Sequence, residues 1–139
     1  MSLLGRITGK DTPWQPAGAA YPSLFEAGAF GPALRGKSGV YTLWHLGVRP
    51  QWLRVGAGAD LAACLTAAAA ALKDSPFRGN GGIFAAWMFM AAGRCPGIVV
   101  HLRARLKPAL QDFALAGDLV WKSVPAPVAF PLPPGTTEP

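Results

Sequence analysis

Residues 36–65, GKSGVYTLWHLGVRPQWLRVGAGADLAACL, constrain the fold more than any other stretch. Val40 to Leu46 is rich in β-branched and aromatic residues and is bracketed by Gly39 and Gly47, which reads as a strand. Val48-Arg49-Pro50 supplies a turn, and Trp52 to Val55 supplies a second strand that ends at Gly56. Two strands so close together pair as a hairpin. Asp60 then stands where a helix N-cap belongs, ahead of an alanine-rich run from Leu61 to about Lys73. Strand, turn, strand, helix is the expected order.

The rest of the chain extends this pattern. At 139 residues there is room for one core and not for two. The apolar run Ile83 to Ala92 (IFAAWMFMAA) lies between Gly-Gly and Gly-Arg and reads as a buried helix. It is half the length of about twenty residues that a membrane span needs. Ile98 to Leu106 alternates by two, with His101, Arg103 and Arg105 on one side, and predicts a strand with a basic outer face. Ala109 to Ala116 fits a short helix stopped by Gly117. The fold expected is α/β of the α+β kind: a small three-stranded, mostly antiparallel sheet flanked by helices, in the order β-β-α-α-β-α.

Two irregular arms flank this core. Residues 1–35 carry scattered prolines and glycines, and residues 121–139 contain the Pro-rich run PAPVAFPLPPGTTEP. That run is expected to be extended, either as a disordered tail or as a strip docked on a partner. The domain division is therefore an N-terminal arm (1–35), a folded domain (36–120) and a tail (121–139). Trp14 and Trp121 exceed what a small core needs, which marks them as anchors for neighbouring subunits.

Charge points to an anionic partner. The formal net charge is +6, and no acid occurs from Ala27 to Ala59 or from Ser75 to Gln111. The candidate contacts to nucleic acid or to an acidic protein are Arg35, Lys37, Arg54, His101, Arg103, Arg105 and Lys107. Trp44 or Trp52 could add stacking to such a surface. The competing reading is a solvated outer face with its tryptophans in the core. Cys64 and Cys95 lack zinc-knuckle spacing and suit reduced thiols in the cytoplasm. The N-terminal apolar stretch is too short for a secretion signal. No cofactor, metal or membrane is expected.

Two motifs bear on catalysis. Gly31 to Ser38 matches GxxxxGK[ST], but a phosphate-cradling loop needs a helix after it, and Gly39 opens a strand instead. Gly39-Val40-Tyr41, then Arg54-Val55-Gly56, then Leu61 and Leu65 resemble the core of the GIY-YIG nuclease family. The resemblance spans roughly residues 36–120, with the motif confined to the first thirty. Gly39, Val40, Tyr41 and Gly56 are its remnants.

The family's reactive groups are mostly replaced. The resemblance implies a second tyrosine where Arg54 stands and an arginine where Cys64 stands. It also implies a metal-holding glutamate that has no counterpart, with Asp112 beside Gln111 as the nearest substitute. A phosphodiesterase needs charge stabilisation at phosphorus and an activated water. The expectation is therefore no catalytic residue and no metal, but a non-catalytic structural or binding subunit of a larger assembly whose partner is nucleic acid, as in a nucleoprotein particle, or a more acidic protein. A free-standing basic nucleic-acid-binding protein is the alternative. An atypical nuclease using Tyr41 and Asp112, or a nucleotide hydrolase using Lys37, ranks below both.

Overall fold

The prediction of a hairpin feeding a helix holds in the computed structural model, which describes residues 13–16, 20–27, 31–46, 51–79, 82–111, 115–121, 123–136 and 138. The elements in chain order are β1 (Trp14–Gln15), α1 (Leu24–Ala27), α2 (Gly31–Leu34), β2 (Gly39–His45) and β3 (Gln51–Gly58). They continue with α3 (Leu61–Leu72), α4 (Pro76–Gly79), β4 (Ile83–Phe89), a 3₁₀ turn at Ala92–Arg94 and α5 (Cys95–Leu106). The class is α+β, as expected. The sheet has four strands rather than three, in the order β1-β4-β2-β3, and every neighbouring pair is antiparallel. The turn residues 47–50 lie outside the described residues.

Two elements exchange type relative to expectation. Ile83–Phe89 is a strand, not a helix. It lies inside the sheet between β1 and β2, so most of both its faces is covered and no period-two pattern marks it. Cys95–Leu106 is a helix, not a strand. Its buried Ile98, Val99, Leu102 and Leu106 follow a helical stripe, and Pro96 sits in the first turn where a missing N–H costs nothing. The expected helix over 109–116 falls partly on residues 112–114, which are not described; its flanks at Ala109–Leu110 and Ala116–Gly117 are turns.

The sheet separates two apolar layers. Tyr41, Leu43, Leu53, Ala85 and Trp87 pack with Leu61, Cys64, Leu65 and Ala68 of α3. Val40, Trp44, Trp52, Val55 and Met88 pack with the buried stripe of α5 and with Trp14. Asp60 caps α3 by accepting from the Ala62 amide at 3.1 Å. Gly39 is required by close approach: a Cβ there would lie 1.9 Å from the Met88 carbonyl oxygen of β4.

The outer edge of β3 is sealed by irregular chain. Ala109 N donates to Trp52 O (3.1 Å), Leu110 N to Leu53 O (2.7 Å) and Leu119 N to Ala57 O (2.7 Å). The Val55 amide donates to Gln111 Oε1, and the Val55 carbonyl accepts from Arg103 Nε and Nη2, each at 3.1 Å. An edge with its hydrogen bonds taken cannot recruit a foreign strand.

The tail packs on its own chain instead of reaching away from it. Val128 N donates to Gly97 O at 2.9 Å, Trp14 Nε1 to Pro131 O at 2.7 Å and Tyr21 Oη to Pro134 O at 2.7 Å. Phe130 meets Trp14 edge-on at 6.3 Å between ring centroids. Among the described residues, no helix is long and apolar enough to cross a membrane.

Candidate functional site

Tyr41 projects from β2 toward α3, and the local backbone of β3 brings Arg54 to the same place. Leu43 pairs with Arg54, but Trp44 pairs with Trp52, so Leu53 is an extra residue in β3. The bulge sets Leu53 and Arg54 on the same face, which alternation would forbid. Gly56 opposes Tyr41 in the register. A Cβ on it would lie 2.5 Å from the tyrosine oxygen, so only glycine leaves room for the phenol.

Asp118 completes the cluster from the segment that seals β3. Gly117, at φ +90°, turns the chain, and Asp118 bridges to Gly58. The Tyr41 hydroxyl donates toward both Asp118 carboxylate oxygens, each 2.9 Å away, and accepts from Arg54 Nε at 3.1 Å. Arg54 Nη2 pairs with Asp118 Oδ2 at 2.8 Å, and Nη1 donates to Leu110 O at 2.9 Å. The side chains of Arg54 and Asp118 are only 2% and 8% exposed. Cys64 Sγ lies alongside and donates to Gly117 O at 3.3 Å.

Electrostatics follow from this enclosure. Burial, reinforced by the Asp118 charge, raises the Tyr41 pKa far above that of a free phenol. Burial opposes the charge on Arg54, but the bonds to Asp118 and Tyr41 outweigh it and keep the guanidinium firmly protonated. Burial also pushes the Cys64 thiol up to about 12. A phenol that holds its proton and is bonded on both sides makes a poor general base or nucleophile. The cluster is built to be satisfied internally.

Gly39, Val40, Tyr41 and Gly56, expected as GIY-YIG remnants, act in packing. Gly39 and Gly56 admit close neighbours, Val40 fills the α5 layer, and Tyr41 joins the closed network. Arg54, expected to meet an outside anion, is instead an interior residue that neutralises Asp118. The buried arginine is the signal that should have pointed to Asp118, since a strand cation flanked by Leu53 and Val55 needs a carboxylate. Asp112 lies outside the described residues.

The remaining cations do not share one face. Arg35 and Lys37 are exposed on either side of Gly36, beside the start of α3, where Gly36 N donates to Asp60 Oδ1 and Lys37 O accepts from Leu61 N. The helical form of 95–106 separates Arg103 from His101 and Arg105. Arg103 is half-buried against the sheet edge, with its guanidinium 5.6 Å from the Trp121 ring centroid. Arg105 and Lys107 are exposed, and His101 is half-buried. Burial lowers the Arg103 pKa, with the nearby Arg54 charge acting in the same direction.

Both proposed anchors serve their own chain. Trp14 is fully buried under the tail, and Trp121 is covered in part by Arg103. The GxxxxGK[ST] match covers α2 and ends just before β2, and Ser38 Oγ donates to Met90 O at 2.7 Å rather than facing an open loop. Among the described residues, no group of three or more His, Cys, Asp or Glu side chains could hold a metal ion. Compared with known proteins, the chain matches no family model, no curated protein and no solved structure.

Proposed function

We propose that the protein is a non-catalytic binding or structural subunit built on a GIY-YIG-like scaffold, and that its partner is an acidic protein surface. The observation that carries this reading is the Tyr41–Arg54–Asp118 network. Where a nuclease would present a reactive tyrosine to a phosphate, this chain ties the phenol to an arginine and a carboxylate inside the core. The antiparallel β4-β2-β3 order, with α3 following the hairpin, supports the scaffold assignment.

Binding then falls to the surface. Arg35 and Lys37 lie on the α3 side of the sheet, while His101 and Arg105 of α5, and Lys107 just after it, lie on the other side. Cations divided this way suit two local contacts with carboxylates better than one continuous track along a phosphate backbone. Two buried free thiols fit a reducing cytoplasmic setting.

Co-purification from the native source tests the reading. Stable acidic partners are expected, released by salt and weakened by Lys37→Glu. Recovery of the protein alone would overturn it, as would a metal-dependent nicking activity that Tyr41→Phe abolishes. The second reading is a free-standing nucleic-acid-binding protein, favoured by the acid-free run around Arg35 and Lys37. It would be supported by affinity for generic DNA or RNA that falls steeply with salt.

A further inference from the structure

His101 and Arg105 stand one turn apart on α5, so their side chains share a face. The tail crosses that face and encloses a cleft of about 270 Å³. His101 and Arg105 line it from α5, and Phe130, Pro131, Leu132 and Glu138 line it from the tail. Arg105 Nε donates to Glu138 Oε1 at 2.5 Å, and Arg105 Nη2 pairs with the same oxygen. The His101 ring makes no hydrogen bond to any described residue.

The two halves of the cleft differ in how firmly they are held. The tail wall is fixed by Val128 N to Gly97 O and by Trp14 Nε1 to Pro131 O. The Arg105–Glu138 contact is not: the two side chains are 54% and 44% exposed. An ion pair so open to solvent contributes little, and an outside carboxylate can replace it. A tethered carboxylate nevertheless competes at high effective concentration. Glu138 is the only acid in the sequence after Asp118, and it sits on the arginine.

We propose that this cleft is a docking site for an acidic segment of a partner protein, and that Glu138 occupies it in cis as a tethered competitor. This inference rests on the partner-binding function proposed above and names the surface that performs it. The carboxylate already bound at Arg105 comes from this chain's own tail, and it is the chemistry that a partner's acidic segment would bring. His101 offers a second polar contact, and Phe130 and Leu132 offer an apolar wall to the neighbouring residue of that segment.

The test titrates the full chain with hexaglutamate, hexaglutamine, glutarate and hexathymidylate, following the Arg105 Nε–H and His101 ring resonances. Hexaglutamate is expected to shift both signals, and hexaglutamine neither. Glu138→Gln should tighten hexaglutamate binding about threefold by removing the competitor, and Arg105→Gln should abolish the His101 shift. Equal affinity in wild type and Glu138→Gln overturns the proposal. So does glutarate binding as tightly as the peptide, which would mean a small-molecule site, or hexathymidylate showing the same Arg105 dependence, which would mean a nucleic-acid contact. Peptide binding that responds to Lys37→Glu and not to Arg105→Gln removes this cleft but leaves the general function standing. Absence of any co-purifying partner removes the function itself.

Discussion

Arg54 and Asp118, 64 positions apart in the sequence, meet in a buried ion pair of 2.8 Å. The pair ties the inside of the hairpin to the irregular segment that covers its edge. Tyr41 lies against both partners, so one hydrogen-bonded unit joins β2, β3, Leu110 and Asp118.

Removing one charge from that unit is expected to be severe. Asp118→Asn should cost about 3–5 kcal/mol, because Arg54 keeps its charge in a site with no water to solvate it. Arg54→Met combined with Asp118→Asn should recover most of that loss, since neither charge then remains. Urea unfolding of the three proteins decides the matter. A loss below about 1 kcal/mol in the single variant would mean that water reaches the pair.

Alkaline pH should destabilise the fold in a defined window. Burial moves the Cys64 thiol from 9.0 up to about 12, the Cys95 thiol to about 11 and the Tyr21 phenol from 10.0 to about 12. Below pH 9 these groups are protonated in both states and their contribution is complete. Between about pH 9 and 12 the unfolded chain gives up these protons first, binds fewer than the folded one, and stability falls. Urea midpoints at pH 8, 9 and 10 should decline progressively. Cys64→Ala should shallow the slope, and neither thiol should react quickly with an alkylating reagent in the native state.

Gly97 is the seat of the tail. A Cβ there would lie 2.7 Å from Val128 Cγ2 and 2.8 Å from Ala126 O. Gly97→Ala favours the helix by up to about 1 kcal/mol, yet it pushes the tail off its surface. The expected result is faster proteolysis within 123–136 and a red-shifted Trp14 emission, with α5 still helical. Unchanged protection of the tail would show that the segment docks without the Val128 contact.

Two cations of similar appearance should behave differently. Arg103→Gln loses two bonds to Val55 O and the stacking on Trp121, and should cost about 1–3 kcal/mol. Lys37→Gln should change stability by no more than about 0.5 kcal/mol while weakening partner capture. Thermal unfolding together with a binding assay separates the two roles.

The legible parts of the sequence were those where local chemistry and tertiary position agree. Gly39, the β-branched and aromatic run after it, and Asp60 each specify their element on their own. Ile83–Phe89 failed because a strand inside a covered sheet is apolar along most of its length and looks like a buried helix. Ile98–Leu106 failed because alternation by two over nine residues coincides with part of a helical stripe, and Pro96 was the discriminating residue. The site was half visible. Tyr41 and Arg54 could be named from their strands, but Asp118 enters through a turn at Gly117 that no periodicity marks, and the bulge at Leu53 is set by pairing across the sheet.

The bond from Trp14 to Pro131 joins positions 117 apart in the sequence. During synthesis the first strand can pair with β4 and its tryptophan can pack on α5 once those elements exist, but the indole is not fully covered until the tail has been made. Contacts of such sequence separation form late, because the long loop between them must be closed first. The nascent chain therefore carries an indole that is only partly covered until its last residues are added, which makes the growing protein a better chaperone substrate than the finished one.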